Sequence, residues 1–103
     1  MSTNVFVKSG HAINLLPDLT AGTPTGDWKY KDAPLTTIQV VATGTATVVF
    51  DVSNDGVNAV ATTLGTVTLA AAGSDGFVCD APWKYIRARV TANAVAVSVI
   101  MSN

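Results

Sequence analysis

The stretch from Thr36 to Gly56, TTIQVVATGTATVVFDVSNDG, alternates apolar and small polar residues on both sides of Gly44. Ile38, Val40 and Ala42 share one parity, as do Val48, Phe50 and Val52. Successive side chains of an extended chain point to opposite faces, so this period of two predicts strands with one buried face and argues against helix. β-Branched residues fill both parities, which strengthens the reading. The pattern recurs near the C-terminus. Over Trp83–Thr91, Ile86, Ala88 and Val90 oppose Tyr85, Arg87 and Arg89, and over Ala94–Met101, Val95, Val97, Val99 and Met101 point inward. Between these blocks, Val60, Thr62 and Leu64 have one parity while Val67 and Leu69 have the other. A bulge or tight turn at Gly65-Thr66 would bring both sets to one face.

Turn chemistry divides the chain into short segments. Val5-Phe6-Val7 and Ile13–Leu16 read as brief strands. Thr43-Gly44-Thr45 is expected to close an opening hairpin, with Gly supplying positive φ. Ser53-Asn54-Asp55-Gly56 is expected as a hairpin turn into a strand over Asn58–Leu64. Ala70–Gly76 is a further turn region before a short strand at Phe77-Val78-Cys79, and Ala92-Asn93 joins the last two strands. Seven or eight short antiparallel strands spaced by roughly 8–12 residues predict an all-β fold, a single β-sandwich or jelly-roll-like domain. The whole of 1–103 is one domain, with a strand and loop arm over 1–35 and the core sandwich over 36–103. The segment Pro17–Pro34 is expected to be a long N-terminal loop, because three prolines and two glycines interrupt any period. It sets Trp28 and Tyr30 among Asp27, Lys29, Lys31 and Asp32. Two readings stand: a plug over the open end of the sandwich, or an anchor for a neighbouring protein.

Charged residues make up 13% of the chain, against about 25% in ordinary soluble domains. Glu is absent, and Ala, Val and Thr dominate. Such a surface is either coated by threonine hydroxyls or partly covered by another protein. The net charge of −1 gives no basic footprint for nucleic acid. Cys79 is the single cysteine, so no intrachain disulfide forms. Val90–Met101 is too short and too polar to span a bilayer. The opening MSTNVFVKSG lacks a signal-peptide core, and synthesis in a cytoplasm is expected.

Catalytic chemistry finds little footing. His11 is the only histidine and sits beside Ser9 and Gly10, with no orienting carboxylate implied. The aspartates are scattered through turns, where Asp is favoured for its own backbone hydrogen bonds. One Cys and one His exclude a zinc site. Asp51-Val-Ser53-Asn-Asp55-Gly56 resembles the first half of a calcium loop, but the twelfth position is Thr62 where that loop needs a bidentate Glu. A turn explains these residues better. No enzyme, cofactor or metal is expected. Trp83, Tyr85, Arg87 and Arg89 share one parity and would form an aromatic and basic stripe suited to protein contact. The plainer reading is a solvated face with Trp83 tucked at the strand's end. Trp28, Tyr30, Trp83, Tyr85, Arg87 and Arg89 are therefore the candidate partner-contact residues.

The runs VVFDVSNDGVN, TVTLAAAGSDGF and APWKYIRARVTANAVAVSVIM, covering Ile38–Met101, resemble a pattern of small structural proteins of tailed bacteriophages. In that pattern an S-x-DG turn, a threonine-rich strand, a Tyr-x-Arg strand and a valine-rich terminal strand follow one another. The resemblance implies a non-enzymatic virion component: a capsid decoration, or cement, protein with a jelly-roll-like sandwich. Its partner would be the major capsid protein, its place the capsid surface, and its state a dimeric or trimeric homo-oligomer. The alternative is a tail or baseplate accessory protein, or a receptor-binding module that stacks a glycan on Trp28 and Trp83. On either reading, replacing Arg87 and Arg89 by Glu is expected to leave folding intact and to block attachment.

Overall fold

The structure, a computed structural model, describes residues 12–31, 35–92 and 94–102. The Val5-Phe6-Val7 run and His11 lie outside them. Eight strands follow in order: β1 (Ala12–Gly22), β2 (Lys29–Tyr30), β3 (Thr36–Ala42), β4 (Ala46–Ser53), β5 (Gly65–Leu69), β6 (Gly73–Cys79), β7 (Tyr85–Val90) and β8 (Ala94–Ser102). Among the described residues there is no helix. The strands form two four-stranded sheets with orders β1-β8-β3-β6 and β2-β7-β4-β5, and every pairing is antiparallel. The pairs β4–β5, β3–β6, β2–β7 and β1–β8 nest one inside the next. This is one long hairpin rolled up into two sheets, the double Greek-key arrangement of a jelly roll.

The expected alternation supplies the core. Ile38, Val40 and Ala42 from β3 and Val97, Val99 and Met101 from β8 are buried in one sheet. Val48, Phe50 and Val52 from β4, Val67 from β5 and Ile86, Ala88 and Val90 from β7 are buried in the other. Phe50 is fully enclosed and meets the Phe77 ring edge-on at 5.3 Å between centroids. That pair closes the side of the sandwich where β5 and β6 run.

Several connections differ from expectation, two of them because consecutive strands lie in opposite sheets. Thr43-Gly44-Thr45 closes no hairpin, because β3 and β4 belong to different sheets and the turn carries the chain across. The β7–β8 connection crosses in the same way. The amide of Thr43 donates to Ala96 O at 3.0 Å and that of Thr91 to Thr47 O at 3.0 Å, tying both crossings to the adjoining strands. Both faces of the interstrand space are apolar, so each sheet must contribute an inward face, and adjacent strands satisfy this best across the gap. The run Asn58–Leu64 is a bent connection, not a strand, and β5 begins at Gly65 without a bulge there. Val60 N donates to Val52 O at 3.1 Å and Leu64 N to Phe50 O at 2.8 Å, so the connection follows β4 while only its two larger apolar residues pack on the core. β6 starts at Gly73, inside the expected turn region.

The N-terminal loop is shorter than its composition suggested. β1 continues through Pro17 to Gly22 with three register irregularities against β8. It is an edge strand, where a missing amide costs no ladder bond on the open side. Pro24 to Lys31 then runs beside β7: Val90 N donates to Pro24 O at 2.9 Å, Gly26 N to Ala88 O at 2.8 Å, and Lys31 N to Lys84 O at 2.7 Å. Gly26 sits so close to β1 that a methyl group there would collide with the Leu15 carbonyl oxygen.

Candidate functional site

The outward parity of β4 and β7 and the segment beside β7 meet on one face of the second sheet. Register places Tyr30 opposite Tyr85 and Asp51 opposite Arg87. Asp51 Oδ2 accepts hydrogen bonds from Arg87 Nε at 2.9 Å and Arg89 Nε at 3.0 Å, and its Oδ1 accepts one from Arg89 Nη2 at 3.1 Å. The Asp51 side chain is only 4% exposed although it points away from the core, while Arg87 and Arg89 retain 27% and 37%. Arg89, hydrogen-bonded to the carboxylate, holds the Asp51 carboxyl below its usual range; burial opposes this and Arg87 adds to it. The same bond raises Arg89 above its ordinary value.

The aromatic residues are built onto this brace. The Arg87 guanidinium lies 4.6 Å from the centroid of the Trp28 ring, within cation–π range. Tyr30 meets Tyr85 edge-on at 5.8 Å and is itself 53% exposed. Gly56, at φ +70°, lies under the Tyr85 ring, where even a methyl would be in van der Waals contact with it. Among the described residues no acceptor engages the terminal nitrogens of Arg87 or Nη1 of Arg89. The two arginines thus face one carboxylate, Asp51, and carry guanidinium donors beside the aromatic rings that no other described residue engages. The first sheet differs: the outward Thr37, Gln39, Val41, Ser98 and Ile100 are uncharged.

Five of the six sequence candidates come together here: Trp28, Tyr30, Tyr85, Arg87 and Arg89. Trp83 does not. It precedes β7 and packs against the core beside Val52, Val60 and Leu64, on a groove of about 400 Å³ away from the stripe. Trp28 lies over Arg87 on the sheet's outer face, which is neither a plug at the sandwich's end nor a free indole. Asp51 is not among the sequence candidates, since it also opens the calcium-like run Asp51–Gly56. Its outward parity on β4, opposite an arginine strand, was the available signal.

The calcium-like turn is an internally capped loop. Asp55 Oδ1 accepts from Ser53 Oγ at 2.7 Å, Asn58 N at 2.8 Å and Val57 N at 2.9 Å, and Oδ2 accepts from Asn58 Nδ2 at 3.0 Å. These donors, the Asn58 amide first, hold the Asp55 carboxyl far below its usual range. Its oxygens are already committed to protein donors. Among the described residues no three His, Cys, Asp or Glu side chains are grouped to hold a metal ion. A second cleft, of about 470 Å³, runs between Ile13–Leu16 and Thr25–Lys29 and is separate from the stripe.

Fold and face together define an eight-stranded jelly-roll sandwich that carries a braced aromatic and cationic surface. Compared with models of known protein families, with curated proteins and with solved structures, the chain matches none.

Proposed function

We propose that this chain is a non-enzymatic structural component of a tailed-bacteriophage virion, a capsid decoration protein that braces neighbouring major capsid subunits. The observation that carries the reading is the outer face of β2, β7 and β4. There Asp51 fixes two arginines beside Trp28, Tyr30 and Tyr85, in a preorganised patch of the residue types that anchor protein interfaces. The resemblance of Ile38–Met101 to small phage structural proteins and the jelly-roll strand order support it alongside. Little side-chain entropy remains to be lost on binding, because Arg87 and Arg89 are held in place already. Many such modest contacts, summed over a lattice, would stabilise a shell by mass action.

The glycan-binding alternative has less to stand on. One face of the Trp28 indole is taken by Arg87, and Trp83 lies apart from it, partly buried against the core, so the two indoles form no common platform. The test is re-addition of the purified chain to phage heads assembled without it, followed by sedimentation and electron microscopy. Tyr30→Ala combined with Trp28→Ala should lower occupancy about tenfold, as expected for loss of interface aromatics, while the isolated chain stays folded. Undiminished occupancy removes the face from the contact, and failure of the wild type to bind heads removes the decoration reading itself.

A further inference from the structure

Open sheets expose backbone hydrogen-bonding groups at their edges, and proteins normally guard these against pairing with another chain. Among the described residues the two sheets have four edge strands, and three of them carry such guards. β1 contains Pro17, which has no amide to donate, and its ladder is broken by three register shifts. β2 is only two residues long, and one of them is Lys29. β6 contains Gly73 and Gly76, and it places Asp75 at a position of inward parity, opposite the buried Val40.

β5 has one glycine, at its first residue, but no proline, no charged side chain and no register shift. Its sequence is Gly-Thr-Val-Thr-Leu, and its only strand partner among the described residues is β4. It lies within an uninterrupted stretch from Gly56 to Ser74 that contains no charge and no proline. On this strand and just after it Thr66, Thr68 and Ala70–Ala72 are exposed. An uncharged, β-branched, unguarded edge on a chain with so few charges is a template for one more strand.

We infer that β5 is the seam through which two copies of this chain associate, antiparallel about a two-fold axis at Val67, joining their second sheets into one continuous sheet. The strand is complementary to its own reverse. Thr66 of one copy falls opposite Thr68 of the other, twice, on the outer face, and facing threonines are a favourable cross-strand pair. Val67 meets Val67 on the inner face. Leu69 falls opposite Gly65, where the missing side chain leaves the Phe77 ring uncovered; a methyl at Gly65 would itself touch that ring at 3.6 Å. A foreign strand would need no such self-matching order. The association is independent of what the aromatic and cationic face binds. A five-residue seam with its short flanks belongs at the small, transient end of interface sizes.

Sedimentation equilibrium of the purified chain over a wide concentration range tests this. The wild type should show a reversible monomer–dimer equilibrium. Thr66→Lys with Thr68→Lys sets lysine opposite lysine at both pairs and should weaken the dimer about tenfold or more. Thr66→Lys with Thr68→Asp changes the same two exposed positions but sets lysine opposite aspartate, and should restore the dimer. Circular dichroism melts confirm that both variants are folded. A wild type that stays monomeric at the highest soluble concentration overturns the proposal and leaves the edge to another protein's strand. Equal behaviour of the two variants overturns it too, because only this register makes one repulsive and the other attractive.

Discussion

Arg89 and Asp51 meet across the β7–β4 ladder in a two-point contact, Nε to Oδ2 at 3.0 Å and Nη2 to Oδ1 at 3.1 Å, on the outer surface of the second sheet. Two parallel bonds fix the guanidinium plane as a single bond would not. With Arg87 bonded to the same oxygen, the carboxylate is enclosed on a face where charges are normally solvated. The arginines therefore have a structural role as well as the proposed contact role.

These contacts argue against the expectation that Arg87→Glu with Arg89→Glu spares the fold. The double change leaves an enclosed Asp51 beside two further negative charges, and should destabilise the chain by roughly 3 kcal/mol or more, the scale of a broken buried pair. Arg89→Ala, whose partner retains Arg87, should cost only about 1–2 kcal/mol, since the arginine is partly solvated. Urea unfolding of both variants checks this, and equal small losses would show that the brace does not matter.

Acid should reveal the same brace. The folded carboxyl of Asp51 lies below its ordinary 3.8, chiefly through Arg89. Its stabilising contribution is thus fully present above that ordinary value and is lost as pH falls from there through the lower folded value. Asp55, held down by the Asn58 amide and its other donors, acts in the same direction. The stability gap between wild type and Asp51→Asn, read from urea unfolding, should therefore narrow on acidification. A gap that is constant or that widens would contradict the assignment.

Three glycine-to-alanine changes should separate crowding from backbone strain. Gly26→Ala drives a methyl into the Leu15 carbonyl oxygen and close to Leu16 Cδ2 at 3.2 Å, and should cost about 2–3 kcal/mol. Gly22→Ala has open space but a φ of +89°, and should cost about 1 kcal/mol. Gly73→Ala has neither obstacle and should be nearly neutral. Thermal melts that rank these otherwise would show that the approach of the β1 and Pro24–Lys31 segments is misjudged.

Thr36 offers a change in the opposite direction. It is 1% exposed at the start of β3, and its hydroxyl has no hydrogen-bond partner among the described residues. Thr36→Val keeps the shape and removes an unpaired buried polar group, so it should stabilise by about 1 kcal/mol, raising Tm by a few degrees. A lower Tm would show that the hydroxyl is satisfied.

The buried face of each strand was legible in the sequence. Ile38, Val40, Val48, Phe50, Ile86, Ala88, Val97 and Val99 alternate as they pack, because alternation along an extended chain is local and survives whatever the strand pairs with. The all-β class followed from the same rule. Which strands pair was not legible: short turns such as Thr43-Gly44-Thr45 look alike whether they close a hairpin or carry the chain to the opposite sheet, and only the fit of two apolar faces chooses. The same holds for the candidate site. Tyr85, Arg87 and Arg89 declared their common face, whereas the joining of Trp28 to Arg87, the enclosure of Asp51 between two arginines and the docking of Trp83 against the core rest on registers between distant segments. Those registers are decided by packing over the whole sandwich, and no residue's neighbours in sequence carry them.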